Sequence, residues 1–556
     1  MGGKLSMDRK DNTRPRLSSR TRDDHDRSVM RLSRRSVLGA VGGGAIATGL
    51  RGGIGVSPAR AQAPGGSITW AQGRYPLTFN PVDPIGALER WVWQLTSARL
   101  INFDVTGNMI PDLAETWEVS EDGLIYTFHL NRTAAWTDGT PVTAEDVAFT
   151  CTYAADIRTG SRYPDLFASV KGVKEYLSGG TSSISGIQAV DDHTVRFEFA
   201  EPFSPFLNSL AGNTGPYLLP AHILNTIPPD QFATADYNTN PVGRVAMGPF
   251  VIASAEKDQN VVFTRNDAYF KGAPKLDQIV FRVMQRDVAL AALLTGEIDI
   301  AAIPGIQLAE MQQEDGITIT VYPWNLWDGL VFNTSKEYLA DPRVRQAVLH
   351  AIDRKTYTEQ ILGGLGTPWD SIFVQEQFVA SNLVHFEYDP EKSKQLLSEA
   401  GWDASHEVEW KYYGGWSDFA PILQESLDRV GFKIKPLSME TEAWVDAYTK
   451  LDYEMSVTGG NGVLADPSEL AGFFECGTNT LYCNAEVTEL FAKGRSQTDP
   501  AERKQTYDRI QEIINRDVPV VVLWALNLAV GMTNRVKPTA YNNFDYLFFH
   551  TWSVED

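Results

Sequence analysis

The chain has 556 residues, a formal net charge of −21 and a hydrophobic fraction of 43%. This length predicts more than one domain, and the composition is that of a soluble globular protein. The acidic balance disfavours nucleic acid and anionic lipid as partners, because both repel a negatively charged surface. Small neutral or cationic solutes are more natural partners, although solubility alone explains the charge equally well.

The first 63 residues are expected to be an export signal rather than part of the fold. Arg34-Arg35 lie in the run Ser-Arg-Arg-Ser-Val-Leu, a Gly-rich and mildly apolar stretch covers 38–50, and Ala61-Gln62-Ala63 is a small-x-small cleavage site. The run resembles a twin-arginine motif; a disordered basic tail is the alternative. No Cys follows the apolar stretch, so we expect a soluble periplasmic protein without a lipid anchor that begins near Pro64.

Removal of this segment makes the chain more acidic. The segment holds 13 Lys+Arg and 5 Asp+Glu, which leaves 36 basic and 65 acidic residues and a net charge of −29 on residues 64–556. The start of translation, at Met1 or at Met30, stays open. No later stretch is apolar and long enough to predict a membrane span.

After an expected strand at 67–71 and a helix at 89–100, a strand pair is predicted. Leu124, Tyr126, Phe128 and Leu130 recur with period two, which indicates a strand with one buried face. An apolar segment at 117–119 predicts the preceding strand, and Glu121-Asp122-Gly123 has the composition of the turn between them.

A capped helix is predicted to follow the strand pair. Thr143 is its expected N-cap, with Asp146 three residues later in the capping-box position, and Val147, Cys151 and Ala154 share one helix face. Read from Leu113 to Val147, this order of strand, turn, strand, turn and capped helix resembles the signature region of the solute-binding proteins of peptide and nickel ABC importers.

The resemblance implies an α/β fold. This is the two-lobed periplasmic-binding-protein-like fold of type II, in its large three-subdomain variant, with mixed β-sheets flanked by helices. The predicted parts are a removed signal peptide at 1–63, a first lobe at 64–100, 241–322 and 523–556, an accessory subdomain of that lobe at 101–240, and a second lobe at 323–522.

Later segments continue the resemblance in the family's order. The strand at 324–334 is expected to cross from the first lobe into the second, and the chain is expected to return near 518–526. The other predicted elements are strands at 248–252, 278–283, 453–457 and 519–524, and helices at 289–294, 341–354, 390–400, 422–430 and 501–516.

Two of the three cysteines lie close together in the run CGTNTLYC. Cys476 and Cys483 are predicted to form a disulfide, because an oxidising compartment lets such a pair close. A metal site is the alternative, although no His or further Cys lies nearby. Cys151 is expected to be a buried helix residue.

Sequence motifs of catalysis are absent. No H-E-x-x-H, G-x-S-x-G or P-loop pattern occurs, and the eight His include no pair at metal-ligand spacing. We therefore predict no catalytic residue, no metal and no cofactor. The resemblance implies a monomeric binding protein, not an enzyme, whose partners are a small solute and the permease subunits of an ABC transporter in the inner membrane.

A binding cleft needs aromatic walls and a few fixed polar groups, and the 14 Trp of this chain are a high count. In peptide-binding relatives an Asp near the positions of Val463 and Leu464 pairs with the peptide's amino group. Its absence here puts a peptide ligand in doubt, and Asp328 or Asp466 is a candidate replacement. The other candidate ligand contacts are Trp93, Trp324, Trp327, Trp416 and Asn461. For each of these tryptophans, a position in the core is the alternative.

Other functions stay open at this point. The family also carries nickel chelates, oligosaccharides, opines and haem, so the fold does not fix the ligand. A secreted enzyme on a two-lobed scaffold is one alternative, and a sensory or chaperone-like binding protein without a transport role is another.

Overall fold

A computed structural model describes residues 65–83, 86–212, 215–460, 466–478, 480–538 and 547–555. By the contacts between its residues, the chain divides after residue 57 into two units. All the described residues belong to the second unit, residues 58–556. Among the described helices, none combines the length and the apolar character that a membrane span requires.

The strands of the described ranges vary from two to sixteen residues. In chain order they are β1 Ser67–Gln72, β2 Ile101–Phe103, β3 Met109–Pro111, β4 Ala114–Val119, β5 Ile125–Leu130, β6 Ile187–Asp191, β7 Thr194–Glu198, β8 Phe250–Glu256, β9 Asn260–Arg265, β10 Gln278–Val283, β11 Ile300–Ala302, β12 Ile317–Phe332, β13 Gly366–Pro368, β14 Glu407–Tyr413, β15 Lys433–Met439, β16 Met455–Gly460, β17 Val520–Thr533, β18 Val536–Lys537 and β19 Ser553–Val554.

The α-helices lie between these strands and cover the sheets. They are α1 Ala87–Thr96, α2 Ala144–Ala154, α3 Pro164–Phe167, α4 Val173–Leu177, α5 Phe206–Ala211, α6 Ala221–Leu224, α7 Pro229–Phe232, α8 Asp236–Thr239, α9 Arg286–Thr295, α10 Gly305–Met311, α11 Glu337–Ala340, α12 Pro342–Ala351, α13 Arg354–Gln360, α14 Pro390–Glu399, α15 Ala420–Asp428, α16 Thr441–Thr449, α17 Ala471–Phe474, α18 Ala485–Ser496 and α19 Pro500–Asp517. Short 3₁₀ helices occur at Ile157–Thr159, Glu376–Phe378, Gly414–Trp416, Pro467–Leu470 and Phe549–Thr551.

One mixed sheet runs through most of this unit, in the order β15-β14-β16-β12-β17-β11-β1-β10-β9-β8, with β13 also on β17. Its two halves have separate cores. Side chains such as Ile68, Phe250 and Phe281 form the core of the β8–β11 half, whereas Leu330 and Trp410 belong to the core of the β14–β16 half. The α/β fold with mixed sheets flanked by helices is confirmed.

A second, four-stranded antiparallel sheet has the order β4-β5-β7-β6. The period-two pattern of its central strand is confirmed, because Tyr126, Phe128 and Leu130 are all buried in the core between this sheet and its helices. The capped helix is confirmed as α2, where the Asp146 carboxylate accepts a hydrogen bond of 2.9 Å from the backbone N–H of Thr143.

The predicted elements differ from the structure mainly at their ends. The helix expected to reach Leu100 ends at Thr96, since Ser97 is extended and the next residues turn into the core of the four-stranded sheet. β12 begins at Ile317, before the predicted Trp324, and β17 continues to Thr533, because the two strands pair with each other along nearly their whole length.

The cysteine predictions are confirmed. Cys476 and Cys483 are joined by a disulfide, and Cys151 is buried on α2, where burial raises the pKa of its thiol. The loop that the disulfide closes is short, so its contribution to the free energy of unfolding lies at the low end of roughly 2–4 kcal/mol.

The predicted lobe boundaries can be compared with the cores. The core of the four-stranded sheet draws its residues from Val82 to Met247, slightly more than the predicted 101–240. On β17, Trp524 and Leu526 pack with the core of the β14–β16 half and Leu528 with the core of the β8–β11 half, so the strand changes core a few residues after the predicted boundary at 522. The division into lobes itself stays a prediction.

Candidate functional site

Two long strands, β12 and β17, connect the halves of the large sheet. The first part of β12, from Ile317 to Tyr322, pairs with the end of β17, and its last part pairs with the start of β17. The register between them shifts twice, between Pro323 and Leu326 and between Asp328 and Gly329. Such irregularities bend a strand and redirect its side chains, so the pairing of the two strands is irregular where they pass between the halves.

Asp328 lies within this interruption. Its carboxylate is partly buried, and the indole N–H of Trp524 donates to its Oδ2 over 3.1 Å. Within the described part of the chain no Lys, Arg or His lies at ion-pair distance from it. Burial raises the pKa of Asp328 to about 6, against the opposing effect of the Trp524 hydrogen bond. Asp328 is therefore a partly desolvated carboxylate without a Lys, Arg or His of the described residues beside it.

Aromatic rings of a buried core lie on one side of this carboxylate. Trp524 stacks on Tyr357, with ring centroids 4.6 Å apart, and on Trp416, with ring centroids 6.3 Å apart. Phe419 meets Trp524 edge-on at 5.2 Å. We call Tyr357, Tyr413, Trp416 and Trp524 the aromatic cluster.

Burial and, to a smaller extent, the negative charge of Asp328 raise the pKa values of the two tyrosines of the aromatic cluster. Burial raises the pKa of Tyr357 to about 12, with smaller effects of the Asp418 and Asp328 charges in the same direction. The pKa of Tyr413 is also raised, mainly by burial and further by Asp328. The carboxylate therefore lies near aromatic side chains from three different elements: Tyr413 of β14, Tyr357 of α13 and Trp524 of β17.

Neighbouring residues on β12 have different environments. The Trp327 ring is only 1% exposed, packs in a core with Phe373 and Leu470, and donates its indole N–H to the carbonyl of Ile372 over 2.9 Å. Successive side chains of a strand point to opposite faces, so Trp327 enters the core while Asp328 faces the aromatic cluster. Trp327 is not among the ligand contacts that we propose below.

The other candidate tryptophans also lie in different environments. Trp416 belongs to the aromatic cluster, and Trp324 is partly exposed on β12. Trp93 is 1% exposed on α1, where the guanidinium carbon of Arg244 lies 4.2 Å from its ring centroid. Burial lowers the pKa of Arg244 to about 10, and its Nη1 donates to the carbonyls of Phe79 and Tyr237. Trp93 is thus stacked on a cation rather than open to a solute.

Asp466 already has partners. It is fully buried, accepts 2.6 Å from Nη2 of Arg503, and caps a 3₁₀ helix by accepting from the Ser468 N–H. Its second oxygen accepts 3.1 Å from Nδ2 of Asn208. This carboxylate is a structural group in the present conformation, so Asp328 is the better candidate of the two. Asn461 lies outside the described residues.

The Asn208 contact is one of several that join α5 and its flanking loop to the β14–β16 half. The backbone N–H of Ser204 donates to the carbonyl of Arg495 over 2.9 Å, and its hydroxyl donates to the same oxygen over 3.1 Å. The four-stranded-sheet core and the half of the sheet that holds Asp328 therefore touch directly.

Sequence reasoning missed several of these residues. Trp524 lies in the strand predicted at 519–524 but is not among the predicted ligand contacts, and Tyr413 directly precedes the Gly-Gly turn that positions Trp416. Arg244 lies in a loop without any pattern that would indicate its stacking on Trp93. Across the ranges that the structure describes, no group of three or more His, Cys, Asp or Glu side chains is placed to hold a metal ion.

Two cores joined by a pair of long strands that run through one mixed sheet are the architecture of a two-lobed binding protein. Residues 108–481 match the family model described as bacterial extracellular solute-binding proteins, family 5 Middle. The chain therefore belongs to family 5 of the bacterial extracellular solute-binding proteins.

Individual relatives agree with this family. The dipeptide-binding protein of Escherichia coli is 27% identical over 487 residues, which cover 82% of this chain and 88% of the relative. Heme-binding protein A of Haemophilus influenzae is 27% identical over 525 residues, 88% of this chain and 92% of the relative. The structure of a periplasmic binding protein, DppA of Helicobacter pylori in complex with the peptide STSA, has a TM-score of 0.75 at 25% identity and covers 88% of this chain and 98% of its own.

Proposed function

We propose that this protein is the periplasmic solute-binding component of an ABC importer. It captures a peptide or peptide-like solute between its two lobes and delivers it to the permease subunits in the inner membrane. The observation that carries the proposal is the crossing of β12 and β17, where both strands lose their regular pairing next to Asp328 and the aromatic cluster. Similarity to the dipeptide-binding protein supports a peptide or peptide-like solute. Similarity to the heme-binding protein shows that the fold alone does not determine the ligand.

Closure of the lobes is the proposed mode of capture. Two crossing strands with interrupted pairing make a hinge that bends without unfolding either core. A solute favours the closed state only through its greater affinity for that state, which requires contacts to both lobes at once. The Ser204–Arg495 and Asn208–Asp466 hydrogen bonds, which are present in this structure, would help to hold the closed state.

The proposal is tested by what the protein carries. Mass spectrometry of protein purified from periplasm should find a small solute, and the same solute should be recovered unchanged after incubation with the protein. Conversion of the solute would favour the secreted-enzyme alternative. The proposal would be contradicted if no solute co-purifies with the protein and no added solute binds to it.

Export through the twin-arginine route is part of the same proposal. Replacing Arg34 and Arg35 together by Lys should abolish export, because the paired arginines are the feature that the route reads. Cell fractionation and immunoblotting check this, with Arg31→Lys as a control outside the pair. Periplasmic protein at the parent level in the double variant would show that another route is used.

A further inference from the structure

We propose that Ser204 and Asn208 set the affinity for the solute by stabilising the closed state rather than by contacting the solute. The proposal rests on the proposed function and adds two positioning residues to it. Both residues make hydrogen bonds from the four-stranded-sheet core to the β14–β16 half, and no residue of β12 or β17 takes part. The residues of these contacts are called the latch: Ser204, Asn208, Asp466, Gly494 and Arg495.

The first argument concerns the end of α18. The last four carbonyls of a helix have no N–H partner within the helix, and Gly494 and Arg495 lie in the last turn of α18. The Ser204 N–H donates 2.9 Å to the Arg495 carbonyl, and the Ser204 hydroxyl donates to the same oxygen over 3.1 Å. Both donors come from the segment just before α5. The end of α18 is therefore completed by another part of the molecule, and water must replace these donors when the two parts separate.

The second argument is the buried charge of Asp466. Its Oδ1 accepts 2.6 Å from Arg503 and 2.9 Å from the Ser468 N–H, both from its own side of the latch. Its Oδ2 accepts 3.1 Å from Nδ2 of Asn208, on the other side. Asp466 is fully buried in this arrangement, and a buried carboxylate oxygen that loses a donor costs free energy. Loss of the Asn208 amide therefore penalises the closed state, whereas water can reach Oδ2 once the sides separate.

Both sides of the latch are held by their own cores. Phe206 on α5 packs edge-on against Tyr126 at 4.9 Å, and the Tyr126 hydroxyl donates 3.2 Å to the carbonyl of Phe203. On the other side, a Cβ built on Gly494 would lie 2.7 Å from the Tyr507 ring, so a glycine lets α18 pack this closely on α19. Both surfaces are thus preorganised, and joining them costs little conformational entropy.

The effect on solute binding follows from populations. The measured dissociation constant is the constant of the binding-competent state divided by the fraction of the protein in that state. The latch raises the closed fraction by a free energy that does not depend on the solute, since its partners are all protein groups. A weaker latch should therefore lower affinity even though every contact between protein and solute is unchanged.

The test begins with protein freed of solute by dialysis, so that it does not depend on which solute is carried. Asn208→Leu keeps the size of the side chain and removes its amide. Hydrogen exchange, followed by mass spectrometry of the peptide Phe203–Leu207, reports the Ser204 N–H, which is protected while it donates to Arg495. We expect exchange in the variant to be at least about fivefold faster than in the parent, as for the loss of one hydrogen bond to a charged group. Its radius of gyration in small-angle scattering should also be larger.

A matched control lies in the four-stranded sheet. The amide oxygen of Gln188 accepts 2.6 Å from Arg196 of the neighbouring strand, so Gln188→Leu removes the same kind of bond away from the latch. Exchange of the peptide and the radius should stay at the parent level. Asn208→Asp is a second variant, which places a carboxylate against Asp466 and should open the latch further than Asn208→Leu, because like charges repel. Thermal unfolding checks that all three variants fold.

Affinity is measured with the small-molecule extract of the purified parent protein, added back to dialysed protein. Calorimetric titration should show that Asn208→Leu binds it at least about fivefold more weakly than the parent. Saturation should bring both proteins to the same radius, because the variant retains the solute contacts. A variant that was merely damaged would not recover the parent radius.

The outcomes separate this inference from the proposed function. Parent-like exchange and radius in folded Asn208→Leu overturn the latch, and so does faster exchange with unchanged affinity. Either result leaves the solute-binding function standing when the extract binds the parent. A parent that binds nothing from its extract contradicts both.

Discussion

Replacing Arg503 by Met should lower the free energy of unfolding by about 3–5 kcal/mol, the usual cost of leaving one charge of a buried ion pair without its partner. The Arg503 guanidinium lies 2.6 Å from the fully buried Asp466 and also donates 2.8 Å to the carbonyl of Gly494. Burial opposes the charge of Arg503, but Asp466 outweighs it, so the pKa of Arg503 is raised. Urea unfolding followed by circular dichroism at pH 7 measures the loss.

A matched control is available on the same helix. Arg509 of α19 forms ion pairs with Glu486 and Glu512 at the surface, and Arg509→Met should cost no more than about 1 kcal/mol. The double variant Arg503→Met with Asp466→Asn should recover part of the lost stability, because it removes the uncompensated charge. Equal losses for Arg503→Met and Arg509→Met would contradict the structural role assigned to Asp466.

Replacing Trp416 by Ala should weaken solute binding by about 2–4 kcal/mol, the effect of removing a central aromatic anchor. Trp416 stacks on Trp524, which in turn holds the Asp328 carboxylate. Its removal takes away ring surface at the site and also loosens the position of Trp524. Calorimetric titration with the co-purified solute measures the loss.

Because Trp416 is largely buried, the same substitution should also cost about 3–5 kcal/mol of folding free energy. Trp402 is a control for this effect, since it stacks on Phe432 at 4.6 Å and bonds to the Gly431 carbonyl away from Asp328. Trp402→Ala should destabilise the protein and leave affinity unchanged. If both variants bind like the parent while folded, Trp416 is a core residue and no ligand contact.

Local patterns in the sequence predicted the elements well. The alternation of Tyr126, Phe128 and Leu130 and the capping pair Thr143 and Asp146 depend on residues close in the chain, and the structure contains both features. The two crossings of the sheet were predicted from the family resemblance. The strand alternation and the helix cap are set by propensity, capping and turn chemistry, which a sequence displays directly.

The site was predicted only in part. Asp328 and Trp416 were named as candidates, but no sequence rule told which of Trp327 and Asp328 would face the core, because the register of β12 against β17 decides it. Arg503 and Asp466 are 37 residues apart, and Arg244 and Trp93 lie still further from each other. Pairings over such distances depend on tertiary packing, which leaves no local signal.

A solute bound at the crossing of β12 and β17 is expected to hold the two lobes closed. Small-angle X-ray scattering of the mature protein, stripped of solute and then saturated with the co-purified solute, tests it most directly. The radius of gyration should decrease on saturation, and folded Asp328→Asn should show no decrease at the same solute concentration. A radius that stays constant while calorimetry shows the parent protein to be saturated would contradict capture by closure.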